Sequence, residues 1–330
     1  MTTEIVMITQ PADREIVPDV SLADLDLELV TKTMQSGYDL GRYKGPIDPE
    51  TYLLRFGGVI KVDSALLPTV AGVLAFTHEP DRWLTASGID IATYSQDQTN
   101  PTRANVEQIR GSVFQVIDDA VTILQDKCTV GWLEGARLRK ELDTPLIVLR
   151  ELTTNGVVHR DLRMFGSQVR IQIFPRYIEW ISPGGLPKNI TIETLLTAQF
   201  SRNPALAQFL FHAGYIEKFG MGLDAVIDAL QQLNRNSPEF HDDGHSFRVR
   251  VNRPVYRDDQ APDLMTKEGR AEAILALFNE RSKWHQREML ERLEISRSTL
   301  QRDLESLVNQ SKLIVRGATK NRVYSLPKKD

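Results

Sequence analysis

Two periodicities predict an α+β chain that closes with a small helical unit. Residues 168–174 (QVRIQIF) and 177–181 (YIEWI) alternate apolar and polar side chains, as half-buried strands do. Residues 144–159, 223–233 and 297–310 space their apolar side chains by three and four, as amphipathic helices do. At 330 residues, with 41% hydrophobic and 25% charged, the chain suits two or three globular domains. No apolar run approaches the roughly 18 residues needed to span a bilayer, and the first twenty residues lack the apolar centre of a signal peptide. A single cysteine, Cys128, excludes a disulfide framework and a multi-cysteine zinc site within one chain. The expectation is a cytoplasmic protein with no membrane association.

The net charge of −4 argues against indiscriminate nucleic-acid binding, but it averages two unlike parts. Residues 264–330 hold 14 Lys and Arg against 9 Asp and Glu, a net of +5, which leaves −9 for the remainder. A basic appendage on an acidic body is one reading; a solvated helical face is the other.

Taken in order, residues 1–20 read as a mobile tail. Residues 21–125 read as a mixed α/β region: Ser21, followed by acidic residues, starts a helix. Residues 66–76 (LLPTVAGVLAF) read as a helix end at Gly72 running into a buried strand, residues 89–94 as a strand, and residues 107–124 as a helix. Residues 126–252 form the next segment. Its helix at 144–159 has Pro145 suited to the first turn. A hairpin through Pro175-Arg176 follows, then a stretch of loose pattern to Ile216, a helix at 223–233 and a strand at 247–251. Residues 253–263, with two prolines and several charges, read as a linker to a unit at 264–330.

That last unit predicts three helices and two strands. Ala271, Ile274, Leu275 and Phe278 share one face; Met289, Leu290 and Leu293 line a short second helix; Ser296 caps a third that buries Leu300, Leu304, Leu307 and Val308. Strands at 313–316 and 322–326 flank a basic turn at 317–321. This is the pattern of a winged helix–turn–helix, in which the N-terminal part of the last helix reaches base edges while its flanks hold phosphates. Arg297, Ser298, Gln301 and Arg302 lie on the outer surface of that helix. Gln301 suits an adenine edge, and Lys320 and Arg322 of the wing suit the DNA backbone. Such a unit also serves in some proteins as a protein–protein module. The segment SRSTLQRDLESL resembles the winged domains of DeoR-like bacterial repressors.

Three motifs fall between residues 150 and 226. In RELTTNGVVHRD, Glu151 and Asn155 are i and i+4 on one helix, so their side chains point the same way. A carboxylate and an amide so placed can hold Mg²⁺ and position a water; an exposed polar pair near a helix end looks the same. In ISPGGLP the paired glycines allow close approach of backbone to a ligand, or make an ordinary turn. In FGMG, Gly220 and Gly222 precede a helix whose N–H groups could face phosphates.

In this order, with SRNPALAQFL and YIEKFGMGLDAV, the motifs resemble the divergent GHKL (Bergerat-fold) ATP-binding domain of RecG-related, Schlafen-AlbA-associated transcriptional regulators. The resemblance implies an α+β fold: a Bergerat-type α/β sandwich, a mixed sheet with helices on one face, followed by the winged helix–turn–helix. It implies ATP and Mg²⁺ as cofactors. Glu151 would be the general base and Asn155 the Mg²⁺ ligand. Ser182, Gly184 and Gly185 would form the adenine side, Ser182 standing where the family carries an aspartate. Ser201, Arg202 and Asn203 would belong to a lid, and Gly220 and Gly222 would contact phosphates. His159, Arg160 and Asp161 match the family signature without an assigned role.

The expected function is a DNA-binding transcriptional regulator switched by ATP or a related nucleotide, acting on double-stranded DNA as a homodimer on a palindrome. Two other classes stay open: an ATPase acting on nucleic acid or a protein partner in repair or defence, and a non-catalytic scaffold with a degenerate nucleotide site. The sequence shows no P-loop, which argues against a conventional helicase motor.

Overall fold

The computed structural model describes residues 10–96, 99, 104–134, 137–197, 200–217, 222–254, 267–279, 281–293, 295–317 and 322–327. Two compact units emerge, Met1–Pro254 and Val255–Asp330.

The first unit runs α1 (Leu27–Asp39), α2 (Pro49–Phe56), β1 (Val59–Val62), β2 (Ala65–Pro68), α3 (Val70–Phe76), β3 (Ile89–Thr93), β4 (Asn105–Ile109), α4 (Val113–Lys127), β5 (Thr129–Glu134), β6 (Arg137–Leu142), α5 (Leu146–Val158), β7 (Val169–Ile173), β8 (Tyr177–Pro183), α6 (Pro204–His212), α7 (Gly222–Gln232), β9 (Glu239–Asp242) and β10 (Ser246–Asn252). Six strands form one sheet in the order β4-β3-β7-β8-β10-β9. Only β3 and β7 pair in parallel, so the sheet is mixed. Strands from either side of residue 125 therefore share one sheet and one core.

Alternation along the strands separates the two faces. Ile91, Ile171, Trp180 and Val249 stand in one cross-strand row and join the helices in the core. Val116, Ile117 and Ala120 of α4 and Val148, Leu149 and Leu152 of α5 are buried in that same core. Arg170, Gln172, Glu179, Arg248 and Arg250 occupy the opposite, polar face, where Arg250 pairs with Glu179 at 3.0 Å. Trp180 donates its indole N–H to Thr153 Oγ1 (3.1 Å), tying the middle of the sheet to α5.

Several expectations are corrected. Residues 10–20 are packed rather than a mobile tail: Asp13 is fully buried, Val17 and Val20 nearly so, and Arg163 pairs with Glu15 at 2.6 Å. Residues 1–9 lie outside the described residues. Ser21 makes a capping box with Asp24, but over a single 3₁₀ turn; Asp26 caps the α-helix that follows, accepting from Leu29 N (2.9 Å). In the segment 66–76 the strand comes first and the helix second. Gly72 sits inside α3, where a Cβ would lie 2.0 Å from Gly58 O, so the glycine marks a close backbone approach and not a helix end. The helix expected from 107 begins at Val113: β4 occupies Asn105–Ile109, Gly111 turns the chain at φ +135°, and Ser112 caps α4. Helix α6 falls where the pattern looked loose.

The second unit contains α8 (Lys267–Ala276), β11 (Lys283–His285), α9 (Gln286–Leu293), α10 (Arg297–Asn309), β12 (Ile314–Arg316) and β13 (Val323–Ser325), with the sheet ordered β11-β13-β12. Ile274, Met289, Leu300, Leu304 and Leu307 bring the three helices into one core, and Trp284 and Tyr324 join it from the sheet. Ser296 caps α10, as expected, accepting from Thr299 N (3.1 Å). Asp303 is buried and paired with Arg270 at 2.6 Å, a bond between α10 and α8. Strand β11 is an addition to the two strands read from the pattern.

Candidate nucleotide cavity and DNA-facing helix

Helix α5 supplies one wall of a cavity of about 430 Å³. Glu151 and Asn155 are i and i+4 on it, His159 is its C-cap, and all three line the space. Trp180, Leu152 and Val249 contribute apolar surface, which suits an aromatic ring. The volume falls within the roughly 300–1,000 Å³ usual for small-molecule sites.

Of the residues expected in the site, Glu151, Asn155, Ser182, Gly184, Gly185, Ser201, Arg202 and Gly222 all line this cavity. Gly220 lies outside the described residues. Asn203 is placed elsewhere: fully buried, it donates from Nδ2 to the carbonyls of Val158 and Arg160, both at 2.9 Å. It fastens the segment carrying Arg202 to the end of α5 and has no surface left for a ligand.

Each glycine leaves room for a named neighbour. A Cβ on Gly222 would sit 2.2 Å from Glu151 Oε2, so this residue must be small for the carboxylate to keep its place. Gly184 has φ +91°, and a Cβ there would meet Arg202 Nη1 at 2.5 Å and Asp161 Cβ at 2.6 Å. Ser182 is buried and donates its hydroxyl proton to Gly156 O (2.8 Å), so it faces the cavity only as an acceptor. Arg202 donates through Nη2 to Gly185 O. Ser201 also lines the cavity, and its Oγ has no partner among the described residues.

Three residues that the motifs left without a role acquire places here. Glu217 lines the cavity beside Glu151 and is held from outside by Arg42, whose Nη2 lies 2.6 Å from its carboxylate. Burial raises the pKa of Glu151, and the neighbouring Glu217 charge raises it further. His159 lines the cavity and keeps an exposed side chain; desolvation against the cavity wall and repulsion from Arg202 lower its pKa. Arg160 turns away and is buried, donating to the carbonyls of Ala86, Met164 and Ser167, which makes it a clamp on the loop after α5. No pattern in the sequence marked Glu217, because Arg42 places it from 175 residues away.

In the second unit, Arg297, Ser298, Gln301 and Arg302 are exposed on α10; Ser298, Gln301 and Arg302 turn away from Leu300, Leu304 and Leu307, and Arg297 opens the helix at its first turn. Gln301 donates to Glu305 (3.1 Å), a bond within the exposed face. Arg322 is half-buried at the start of β13, and Lys320 lies outside the described residues. Among the described residues no helix is long and apolar enough to cross a membrane, and no three His, Cys, Asp or Glu side chains cluster as a metal site.

The fold is a mixed α+β domain with a cavity, followed in the chain by a three-helix unit with a small sheet. Residues 166–251 match the family described as "Putative ATP-dependent DNA helicase recG C-terminal", and residues 270–319 match the "DeoR-like helix-turn-helix domain". The chain thus carries a RecG C-terminal-like ATPase-type domain followed by a DeoR-like helix–turn–helix. Among solved structures, the DIP2311 protein from Corynebacterium diphtheriae superposes with a TM-score of 0.56 at 18% identity, over 97% of this chain and 65% of that one. The likeness is one of fold, and this chain spans about two thirds of that protein's length. No curated protein matches the chain.

Proposed function

We propose that this protein is a DNA-binding transcriptional regulator whose first unit binds a purine nucleoside triphosphate with Mg²⁺, ATP being what the GHKL resemblance implies. The observation that carries the reading is the gathering of eight of the expected residues, drawn from four separate sequence motifs, around one cavity. The residues present fit the group. Asn155 and Glu151 offer oxygen donors to Mg²⁺, which prefers oxygen and keeps several of its waters. Ser201 Oγ offers a hydroxyl that lacks a partner. Gly222 opens α7 beside Glu151 and leaves backbone close to the metal end. When bound, Mg²⁺ would neutralise phosphate charge beside two carboxylates; Trp180 and Val249 would cover the base, and Ser182 would accept from its polar edge.

The exposed arginines of α10 supply the DNA contacts, and a homodimer would read two half-sites. Nucleotide control of DNA affinity requires that the nucleotide bind two states of the protein unequally, and the coupling is then reciprocal. The place of Glu151, raised in pKa at the metal end, favours a second reading in which the nucleotide is turned over, with Glu151 taking a proton from water.

The test is calorimetric titration of Mg·ATP into the full chain and into Asn155→Ala, beside anisotropy with an operator selected from random duplexes. Binding that is lost in Asn155→Ala and shifts operator affinity supports the regulator. Turnover abolished by Glu151→Gln, with binding kept, supports the enzyme. If neither occurs, the cavity is degenerate and the nucleotide reading fails. Arg302→Ala should weaken operator binding by about 1–3 kcal/mol if it contacts a base; unchanged affinity at every salt concentration removes Arg302 from the interface.

A further inference from the structure

Arg42 lies just beyond α1, where the chain turns back with Arg42 N on Gly37 O (2.7 Å). From there its guanidinium reaches the segment between α6 and α7. Nη1 donates to Phe211 O (3.0 Å) and Ile216 O (2.9 Å), and Nη2 lies 2.6 Å from Glu217 Oε1. The guanidinium also stands 4.8 Å from the centre of the Phe211 ring. A lone ion pair at a surface fixes little. Here one planar fork ties both ends of residues 211–217 and the carboxylate that closes the segment. Its side chain is 15% exposed, whereas that of Glu217 is 56% exposed.

Glu217 lines the cavity and Arg42 does not, so the pair turns its negative end inward. Glu217 is near enough to Glu151 for the two charges to interact. Asn155 and Gly222 complete this part of the wall. Arg202, which also lines the cavity, is engaged with Gly185 O, and among the described residues it pairs with neither carboxylate. A triphosphate entering without a metal would thus meet two carboxylates of its own sign. A divalent cation between them reverses both interactions, because carboxylates bind the cation or accept from its waters.

Resting on the nucleotide reading, we propose that Glu217 is a binding residue that makes the cavity discriminate the metal-complexed triphosphate from the metal-free one, and that Arg42 is the positioning residue that holds it there. Glu151 and Asn155 alone offer the cation its oxygens; Glu217 adds the charge that penalises a bare triphosphate. Without Arg42 the exposed Glu217 carboxylate is free to turn into solvent, and both effects of its charge are lost.

The test titrates ATP into the full chain twice, with excess Mg²⁺ and with EDTA, and reads the ratio of the two affinities. Glu217→Gln keeps the shape and removes the charge at an exposed position, so folding is not at stake. It should bind metal-free ATP more tightly and Mg·ATP less tightly than the wild type, and the ratio should fall on the order of 10-fold. A merely structural role would lower both affinities together and leave the ratio in place. Arg42→Ala should lower the ratio in the same sense, and adding it to Glu217→Gln should lower it no further, since Arg42 acts through Glu217. Wild-type binding of Mg·ATP with an unchanged ratio in Glu217→Gln would overturn the role of Glu217 while leaving the nucleotide site standing. A ratio moved by Glu217→Gln but not by Arg42→Ala would overturn the role of Arg42. Failure of the wild type to bind ATP in either titration would overturn the nucleotide reading itself.

Discussion

Arg253→Met removes one half of a buried ion pair and leaves most of the side-chain volume in place. Asp143 is 1% exposed and Arg253 11%, with Arg253 Nε 2.9 Å from Asp143 Oδ2 and Nη2 on the same oxygen. Among the described residues, the other carboxylate oxygen accepts the Thr144 hydroxyl alone, at 2.8 Å. Without the guanidinium, the Asp143 carboxylate keeps one neutral donor in a site that excludes water, and Phe174 O loses the donor it has at 2.9 Å. Removing one partner of such a pair costs about 3–5 kcal/mol, a large share of the roughly 5–15 kcal/mol that holds a domain folded. Asp143 lies just ahead of α5, so the loss should be felt by the helix that carries Glu151 and Asn155.

Because the chain has two units, a single unfolding midpoint would mix them. Hydrogen exchange in increasing urea, read separately on amides of α5 and of α10, keeps them apart. The opening free energy of α5 should fall by about 3–5 kcal/mol while that of α10 stays put. The double variant Asp143→Leu with Arg253→Met should recover much of the loss, since no charge is then stranded. A fall below about 1 kcal/mol in the single variant, or a double variant no better than the single, would refute this reasoning about the pair.

Two further outcomes test the cavity. Gly222→Ala places a methyl 2.2 Å from Glu151 Oε2, the mobile end of a side chain, so stability should change by no more than about 1 kcal/mol. Mg²⁺-dependent nucleotide binding should nevertheless fall on the order of 10-fold or more as the carboxylate is displaced; intact binding in titration calorimetry would show that Glu151 need not hold that position. Glu151 has its pKa raised above the ordinary 4.5, so the folded state holds its proton more tightly than the unfolded state. Its contribution is therefore most favourable below that pH and is lost as pH rises through the folded value. Glu151→Gln should accordingly be more stable than the wild type at pH 7, with the difference closing below about pH 4.5; urea titrations at both pH values would reveal a gap that fails to close.

Most of the second unit was legible from local pattern alone. Leu300, Leu304 and Leu307 repeat at helical spacing, Ser296 can cap only the helix directly after it, and both features are complete within a dozen residues. The Glu151–Asn155 strip on α5 was legible for the same reason, since i and i+4 share a face of any α-helix. Strand β11 is three residues long and takes its place by pairing with β13 some forty residues later in the chain.

Other elements depend on partners far away in the chain. Helix α6 has no side-chain cap of its own; Asp13 supplies one, accepting from Ala205 N (2.6 Å) and Leu206 N (3.1 Å) across 192 and 193 residues. The same bonds turn an expected tail into a packed segment. Gly72 reads as a helix breaker until Gly58 is seen against it.

What the sequence by itself determined is therefore the inventory: an α+β body, a winged unit with an arginine-bearing helix, and the motifs able to serve a nucleotide. Only the tertiary structure decided which residues share a cavity, that Glu217 joins it while Asn203 lies behind it, and that Arg202 is held against the Gly184-Gly185 turn. Periodicity and capping act over three or four residues and leave their mark on the sequence around them. Closure of a cavity rests on contacts between segments tens to hundreds of residues apart, and those leave no local pattern to read.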